Sequence, residues 1–205
     1  MKKYIFMLQV FSAASLIVVG QYIGIGTPAP TEKLDVAGNI KAATLKPNAI
    51  KFTGAANDFF GNSVSISGNY AIVGAYADDG VAGADQGSAS IYQWNGSNWV
   101  LMQKLTDASG AADDLFGINV SISGNYAIVG AYADDGALGA DQGSASIYLR
   151  MGLGCQRLQY ITDPGANAND NFGKATAIDG ATHRFLIGAN TYANNSGKVV
   201  FGKIN

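Results

Sequence analysis

One cysteine, Cys155, is the whole thiol complement of this sequence. No internal disulfide can form, so packing and hydrogen bonds alone must hold the fold. Only Arg157 stands near it to lower its pKa, and Cys155 reads as a small apolar filler on a strand. Histidine is single as well. His183 falls in an expected turn between two strands, without a nucleophile motif to accompany it, and one His with one Cys serves a catalytic metal poorly. Charge is sparse: Asp, Glu, Lys and Arg make up 14% of the chain and the net charge is −2. With no basic stripe, nothing draws it to nucleic acid or an anionic membrane. Prolines number four against 27 glycines. The glycines precede no helix and no lysine completes a phosphate loop among them. No window carries helical periodicity.

What is present begins with an address. Lys2 and Lys3 precede a mostly apolar run, Ile5–Val19, and small Gly20, which reads as a secretory signal peptide over residues 1–20. The run is short for a membrane anchor, which needs about 20 apolar residues. Cleavage would leave a protein that inserts in no membrane. Residues 21–44 form a linker or adaptor, broken by Gly24, Gly26, Pro28 and Pro30. Within it LDVAGNIKA alternates around Gly38-Asn39 and predicts a short hairpin.

Repetition dominates the rest. The stretch Val64–Tyr92 recurs 56 residues later at Val120–Tyr148, changed only by Val81→Ala137 and Ala82→Leu138. A looser third copy starts at Asn171. Each copy is led in by a segment ending in Phe-Gly: Phe60-Gly61, Phe116-Gly117 and Phe172-Gly173. Asp58, Asp114 and Asp170 precede those glycines by three residues. Such a pair lets a ring enter a core while the backbone passes where a Cβ would clash. The repeats span about 53–108, 109–164 and 165–205, within a domain of residues 45–205.

Each copy predicts four strands. In the first, Ser63–Gly68 alternates, with Val64 and Ile66 opposite Ser63, Ser65 and Ser67. Gly68-Asn69 makes a hairpin turn. Tyr70–Tyr76 is nearly all apolar, as suits a strand covered on both faces. After a polar loop, Gly87–Trp94 alternates again, Asn95-Gly96 turns, and Trp99–Leu105 is the outer strand. Trp94 and Trp99 flank that turn and, not being repeated in the second copy, are expected to serve packing and not a ligand. Four strands per unit joined by short turns is the grammar of a propeller blade. The expected fold is all-β, with three four-stranded antiparallel β-propeller-type blades in an incomplete or oligomer-completed propeller. The third copy ends after its third strand, and Leu45–Phe52 is positioned in sequence to supply a fourth. Three blades make too tight a ring. Two chains combining, a longer parent protein and an open stack are the ways out. The second copy's outer hairpin, YLRMGLGCQRLQYI, keeps its spacing but loses the Asn-Gly turn and both Trp.

The residues FGNSVSISGNYAIVGAYADDG, then GSASIY, then NGSNWVLMQKLTDASGAADDLFG resemble the bacterial FG-GAP repeat, with Gly74-Ala75, Gly130-Ala131 and Gly188-Ala189 closing the second strands. The resemblance covers about Leu45–Asn205 and implies propeller blades like those of integrin α chains. The linker resembles the IGIGT-x-x-P-x-x-KLDV-x-G-N stretch at the start of many secreted Bacteroidetes proteins, which implies an adaptor or stalk. Integrin-type blades carry a calcium loop between their first two strands. Here that place holds Ile66–Tyr70, without a carboxylate, and the site does not carry over.

The next loop holds Asp78, Asp79 and Asp85, repeated as Asp134, Asp135 and Asp141. Three carboxylates and some carbonyls approach the six to eight oxygens of Ca²⁺, while Asp and Gly equally suit solvated turns. No other cofactor is expected. Tyr76, Tyr132 and Tyr192 precede or sit in these loops. With the acids they suggest an aromatic–acidic surface for a protein or glycan ligand, against packing at the blade edge. The expected function is a non-catalytic binding or adhesion module, secreted, periplasmic or on the cell surface. A spacer in a cell-envelope fibre and a carbohydrate-active enzyme are the alternatives.

Overall fold

The computed structural model describes residues 23–25, 34–36, 50–135, 139–152 and 154–205. The expected signal peptide and most of the linker lie outside these. Contacts divide the chain into Met1–Ala49 and Ile50–Asn205. In the first unit β1 (Ile23–Ile25) pairs in parallel with β2 (Leu34–Val36). The described partner of Leu34–Val36 is the IGI segment, and the turn and far arm of the hairpin expected over LDVAGNIKA lie outside the described residues.

The second unit is a stack of antiparallel sheets. Blade one comprises β3 (Val64–Ser67), β4 (Tyr70–Ala75), β5 (Ser88–Trp94) and β6 (Trp99–Leu105), hydrogen-bonded in that order. Blade two repeats it with β7 (Asn119–Ser123), β8 (Tyr126–Ala131), β9 (Ser144–Met151) and β10 (Gly154–Thr162). Blade three has three strands, β11 (Phe172–Asp179), β12 (Arg184–Ala189) and β13 (Lys198–Lys203). A single helical turn, Tyr192–Asn195, interrupts its loop. Of the segment positioned to complete blade three, residues 45–49 are outside the described residues. Ile50–Phe52 forms no strand, and the Phe52 ring packs at 4.7 Å on Tyr92 of blade one.

Period-two alternation gives each strand two faces, and each face finds a neighbouring blade. Ile72, Ala89 and Ile91 of blade one form one core with Val120, Ile122, Ala127 and Val129 of blade two. From the opposite face of blade two, Ile128, Ala145 and Ile147 meet Phe172, Phe185 and Ile187 of blade three. The glycines set how closely the sheets approach. A Cβ on Gly74 would lie 2.0 Å from the Gly117 carbonyl oxygen, and one on Gly130 would lie 2.0 Å from that of Gly173. Phe116 and Phe172 are each 1% exposed between the sheets.

A serine ladder joins the blades at their inner strands. The N–H groups of Val120, Ile122 and Gly124 lie on the free edge of β7. They donate to the hydroxyl oxygens of Ser63, Ser65 and Ser67, at 3.0, 3.1 and 3.0 Å. Blade three repeats the device: Thr176 and Ile178 donate to Asn119 Oδ1 and Ser121 Oγ at 2.7 and 3.3 Å. Side chains that alternate with the core residues therefore face the next blade and satisfy an edge that would otherwise lack partners.

The second copy's divergent hairpin forms all the same, turning at Gly152 with φ +59°. Its altered residues reach back to blade one. Arg150 lies 3.7 Å over the Tyr70 ring, Cys155 N–H donates to Gln103 Oε1 at 2.6 Å, and Arg157 Nη1 donates to Asp107 Oδ1 at 2.7 Å. Cys155 is half-buried, and burial pushes its thiol pKa up, which suits a filler and not a thiolate nucleophile. Trp94 and Trp99 pair across their strands with centroids 5.7 Å apart.

Candidate functional site: the rim loops

The loop from the second to the third strand lies at the same end of every blade. Its backbone is laced to the lead-in of the next blade. Asp113, Leu115 and Phe116 donate their N–H groups to the carbonyls of Ala84, Asp85 and Gln86 at 3.0, 3.1 and 3.0 Å. Asn169, Asn171 and Phe172 do the same to Ala140, Asp141 and Gln142 at 2.9, 3.1 and 3.0 Å. Asp85 and Asp141 adopt φ 51° and 52° to present those carbonyls, a conformation that Asp tolerates better than most residues.

The acids do not gather. Asp78 accepts from Ser88 Oγ and pairs with Lys104, whereas Asp79 Oδ1 accepts the Asp85 N–H at 3.2 Å. In the second loop Asp134 Oδ2 accepts from Ser144 Oγ at 2.5 Å and from the Tyr160 hydroxyl at 2.6 Å. Burial, reinforced by that bond to a carboxylate, pushes the Tyr160 pKa up. Asp135 Oδ1 accepts the Asp141 N–H at 3.0 Å. Among the described residues no three His, Cys, Asp or Glu side chains converge as a metal site would require. The donor set does not fit Ca²⁺ in the first loop: Lys104 occupies Asp78, and Asp79 and Asp85 shape the turn.

The tyrosines are half-buried, each with a different neighbour. Tyr76 stacks on Phe59, with centroids 5.0 Å apart and planes at 12°. Tyr132 lies under Lys174 Nζ at 3.4 Å, and Tyr192, on the helical turn, under Lys198 Nζ at 4.8 Å. They belong to three separate loops and make no common cluster with the acids. His183 sits in its expected turn at φ 54°, its ring edge-on to Tyr126 at 5.2 Å.

The sequence pattern marks the lead-in acids without showing their role, and gives Gln86 no prominence. Gln86 is 2% exposed, and its Nε2 donates to the Asp107 carbonyl at 3.0 Å, tying the loop's base to the next lead-in. Gln142 Nε2 donates likewise to Ala166 O at 3.0 Å. Their shared place, one residue before Gly87 and Gly143, was the available signal. Asp114 Oδ2 accepts the Ala111 N–H and Asp170 Oδ2 the Asn167 N–H, both carboxyls being 4% exposed. Burial pushes the Asp114 pKa up to about 6; the Ala111 bond opposes this, and the charges of Asp134, Asp107 and Asp135 add to it.

The folded chain therefore keeps a proton on Asp114 between about pH 4 and 6 that the unfolded chain has released, so this group makes stability fall as pH rises through that window. Asp114→Asn should flatten that part of the pH dependence while its amide oxygen still accepts from Ala111. Urea midpoints measured across pH 4–7 check this, and an unchanged slope would refute it.

With the acids and Gln86 holding its base, the first loop leaves its tip free. Gly80 and Gly83 bridge each other, with backbone bonds of 2.9 and 3.2 Å, and close a turn around Val81 and Ala82. Val81 is fully exposed. These two positions are the ones that differ between the long identical stretches.

A stack of two four-stranded sheets and one of three strands, with laced rim loops, defines the class: β-propeller-type blades. The finer assignment rests on sequence. Residues 53–92 and 99–148 match the FG-GAP repeat family, which supports reading the first two blades as FG-GAP repeats. No curated protein matches the chain.

Proposed function

We propose that the chain is a non-catalytic, secreted or surface-exposed binding module whose rim-loop tips contact a protein or glycan ligand. The observation that carries this reading is the contrast within one loop. Everything from Asp78 to Gln86 except the tip is committed to hydrogen bonds with its own blade or the next. The tip holds an apolar side chain wholly in water and is where the two copies diverge. Scaffold invariance beside tip variation is how a repeated frame presents different contacts. Tyr76 and Phe59, stacked and with Phe59 57% exposed, add an aromatic platform at the base of the loop, a surface suited to sugar rings or protein loops. Several weak sites on one rigid stack act together through effective concentration.

Binding to a glycan array and to a panel of immobilised extracellular proteins tests the proposal. Saturable binding should fall at least about tenfold on Val81→Asp, the loss of one apolar anchor, with the melting temperature unchanged. Absence of saturable binding on every surface, or binding indifferent to Val81 and Phe59, would leave a spacer as the better account.

A further inference from the structure

The two ends of the blade stack carry the two halves of one joint, and that joint is already made twice within the chain. In each case Phe-Gly of the following blade is the plug and two glycines of the preceding blade are the socket. Phe116-Gly117 lies against Gly74 and Gly87, and Phe172-Gly173 against Gly130 and Gly143, with parallel bridges Gly87 to Phe116 and Gly143 to Phe172.

Blade one has the plug without a described sheet against it. Asn57 and Phe59 hold φ 71° and 53°, matching Asp113 and Leu115 at 67° and 59°. Their N–H groups, with that of Phe60, find no acceptor among the described residues. No atom lies within 4 Å of a Cβ built on Gly61, whereas one on Gly117 meets Ser88 O at 2.1 Å. Val64 and Ile66 are each 66% exposed, although their counterparts Val120 and Ile122 are 5% and 6% exposed.

Blade three has the socket, and no described residue fills it. Gly197 keeps φ 74°, beside 85° and 84° at Gly87 and Gly143, and Asn195 keeps φ 67° where Asp85 and Asp141 have 51° and 52°. A Cβ on Gly188 would meet only Ala175, at 3.4 Å. The place a following Phe-Gly would occupy is a pocket of about 540 Å³, lined by Gly188, Ala189, Asn195, Gly197, Lys198 and Val199. Beside it Leu186, Val199 and Phe201 lie in water, at the positions of buried Ile72, Ala89 and Ile91.

From this match we infer that a second copy of the chain docks head to tail, its Phe60-Gly61 in the Gly188–Gly197 pocket. The reciprocal joint closes a pair of three-blade stacks. A heterologous joint of this kind either closes or propagates, and two stacks of three give six blades, within the usual range for closed propellers of about four to eight. The φ angles at Asn57 and Phe59, and at Asn195 and Gly197, follow those of the internal joints, which favours this occupant over an unrelated segment. The joint is weaker than the internal ones. Ala175 and Ala177 stand where Asn119 and Ser121 supply acceptors to the next strand, so the N–H groups of Val64 and Ile66 gain no side-chain partner. The pair does not depend on any ligand at the rim.

Sedimentation velocity and light scattering on the full chain test it. Twice the mass of one chain is expected at about 10–100 µM, with dissociation on dilution, as a micromolar affinity requires. Gly188→Ala places a methyl where, at Gly74 and Gly130, it would lie 2.0 Å from the incoming carbonyl oxygen. Ile66→Lys puts a charge on the opposite face of the joint. Each should weaken pairing at least tenfold while leaving circular dichroism and the melting of the dilute single chain unchanged. A single chain at every concentration, open-ended growth, or a pair indifferent to both variants would overturn the inference.

Discussion

Phe116→Ala should cost about 3–5 kcal/mol of unfolding free energy, the usual loss for a large ring removed from a close-packed interior. The ring is 1% exposed and stands edge-on to Tyr148 at 6.4 Å, in the core shared by blades one and two. Neither sheet can close on the space it leaves without giving up the Gly74 contact with Gly117, because sheet and plug are in backbone contact there. Phe60→Ala provides the internal control. That ring holds the same place in its repeat but is only half-buried, and in the dilute chain its removal should cost about half as much or less. Denaturant unfolding of both variants checks the contrast, and equal losses would show that the blades do not derive their stability from one another.

Gly130→Ala should be as damaging, for a different reason. The added methyl would sit 2.0 Å from the Gly173 carbonyl oxygen and 2.9 Å from its carbon, both backbone atoms. No rotamer relieves such a clash, so blades two and three must part. A loss above about 3 kcal/mol is expected, in the range where steric conflict in a core places a substitution. Stability in stacked repeats is a sum of units and nearest-neighbour contacts, so blade three should lose protection first. Hydrogen exchange would then show β11–β13 opening below the global transition. Uniform protection with an unchanged midpoint would refute the account.

The strands were legible because their signals are local. Alternation at Val64 and Ile66, the turns at Gly68-Asn69 and Asn95-Gly96, and the apolar run from Tyr70 each depend on a few neighbouring residues. The match of the lead-in, Phe-Gly and strand pattern across copies made the stack legible too. The parallel pairing of Ile23–Ile25 with Leu34–Val36 was not, since strand pairing is a choice among segments apart in sequence. The roles of Ser63, Ser65 and Ser67 were also hidden. As an alternating polar set they look like a solvent face, and only the placement of β7 beside them shows that they serve its edge. Asp78 and Asp79 look alike in sequence, but Lys104 and Ser88 claim one while the Asp85 N–H claims the other.

By itself the sequence determined the unit: a small sheet with two apolar faces, glycines where the backbone must come close, and a ring beside each lead-in. Periodicity and side-chain volume suffice for that, because a sheet with apolar side chains on both faces must be covered on both. Which faces are covered was decided only in the tertiary structure. Val64 and Val120 open the same repeated stretch, yet one is 66% exposed and the other 5%, because burial belongs to the neighbour and not to the residue.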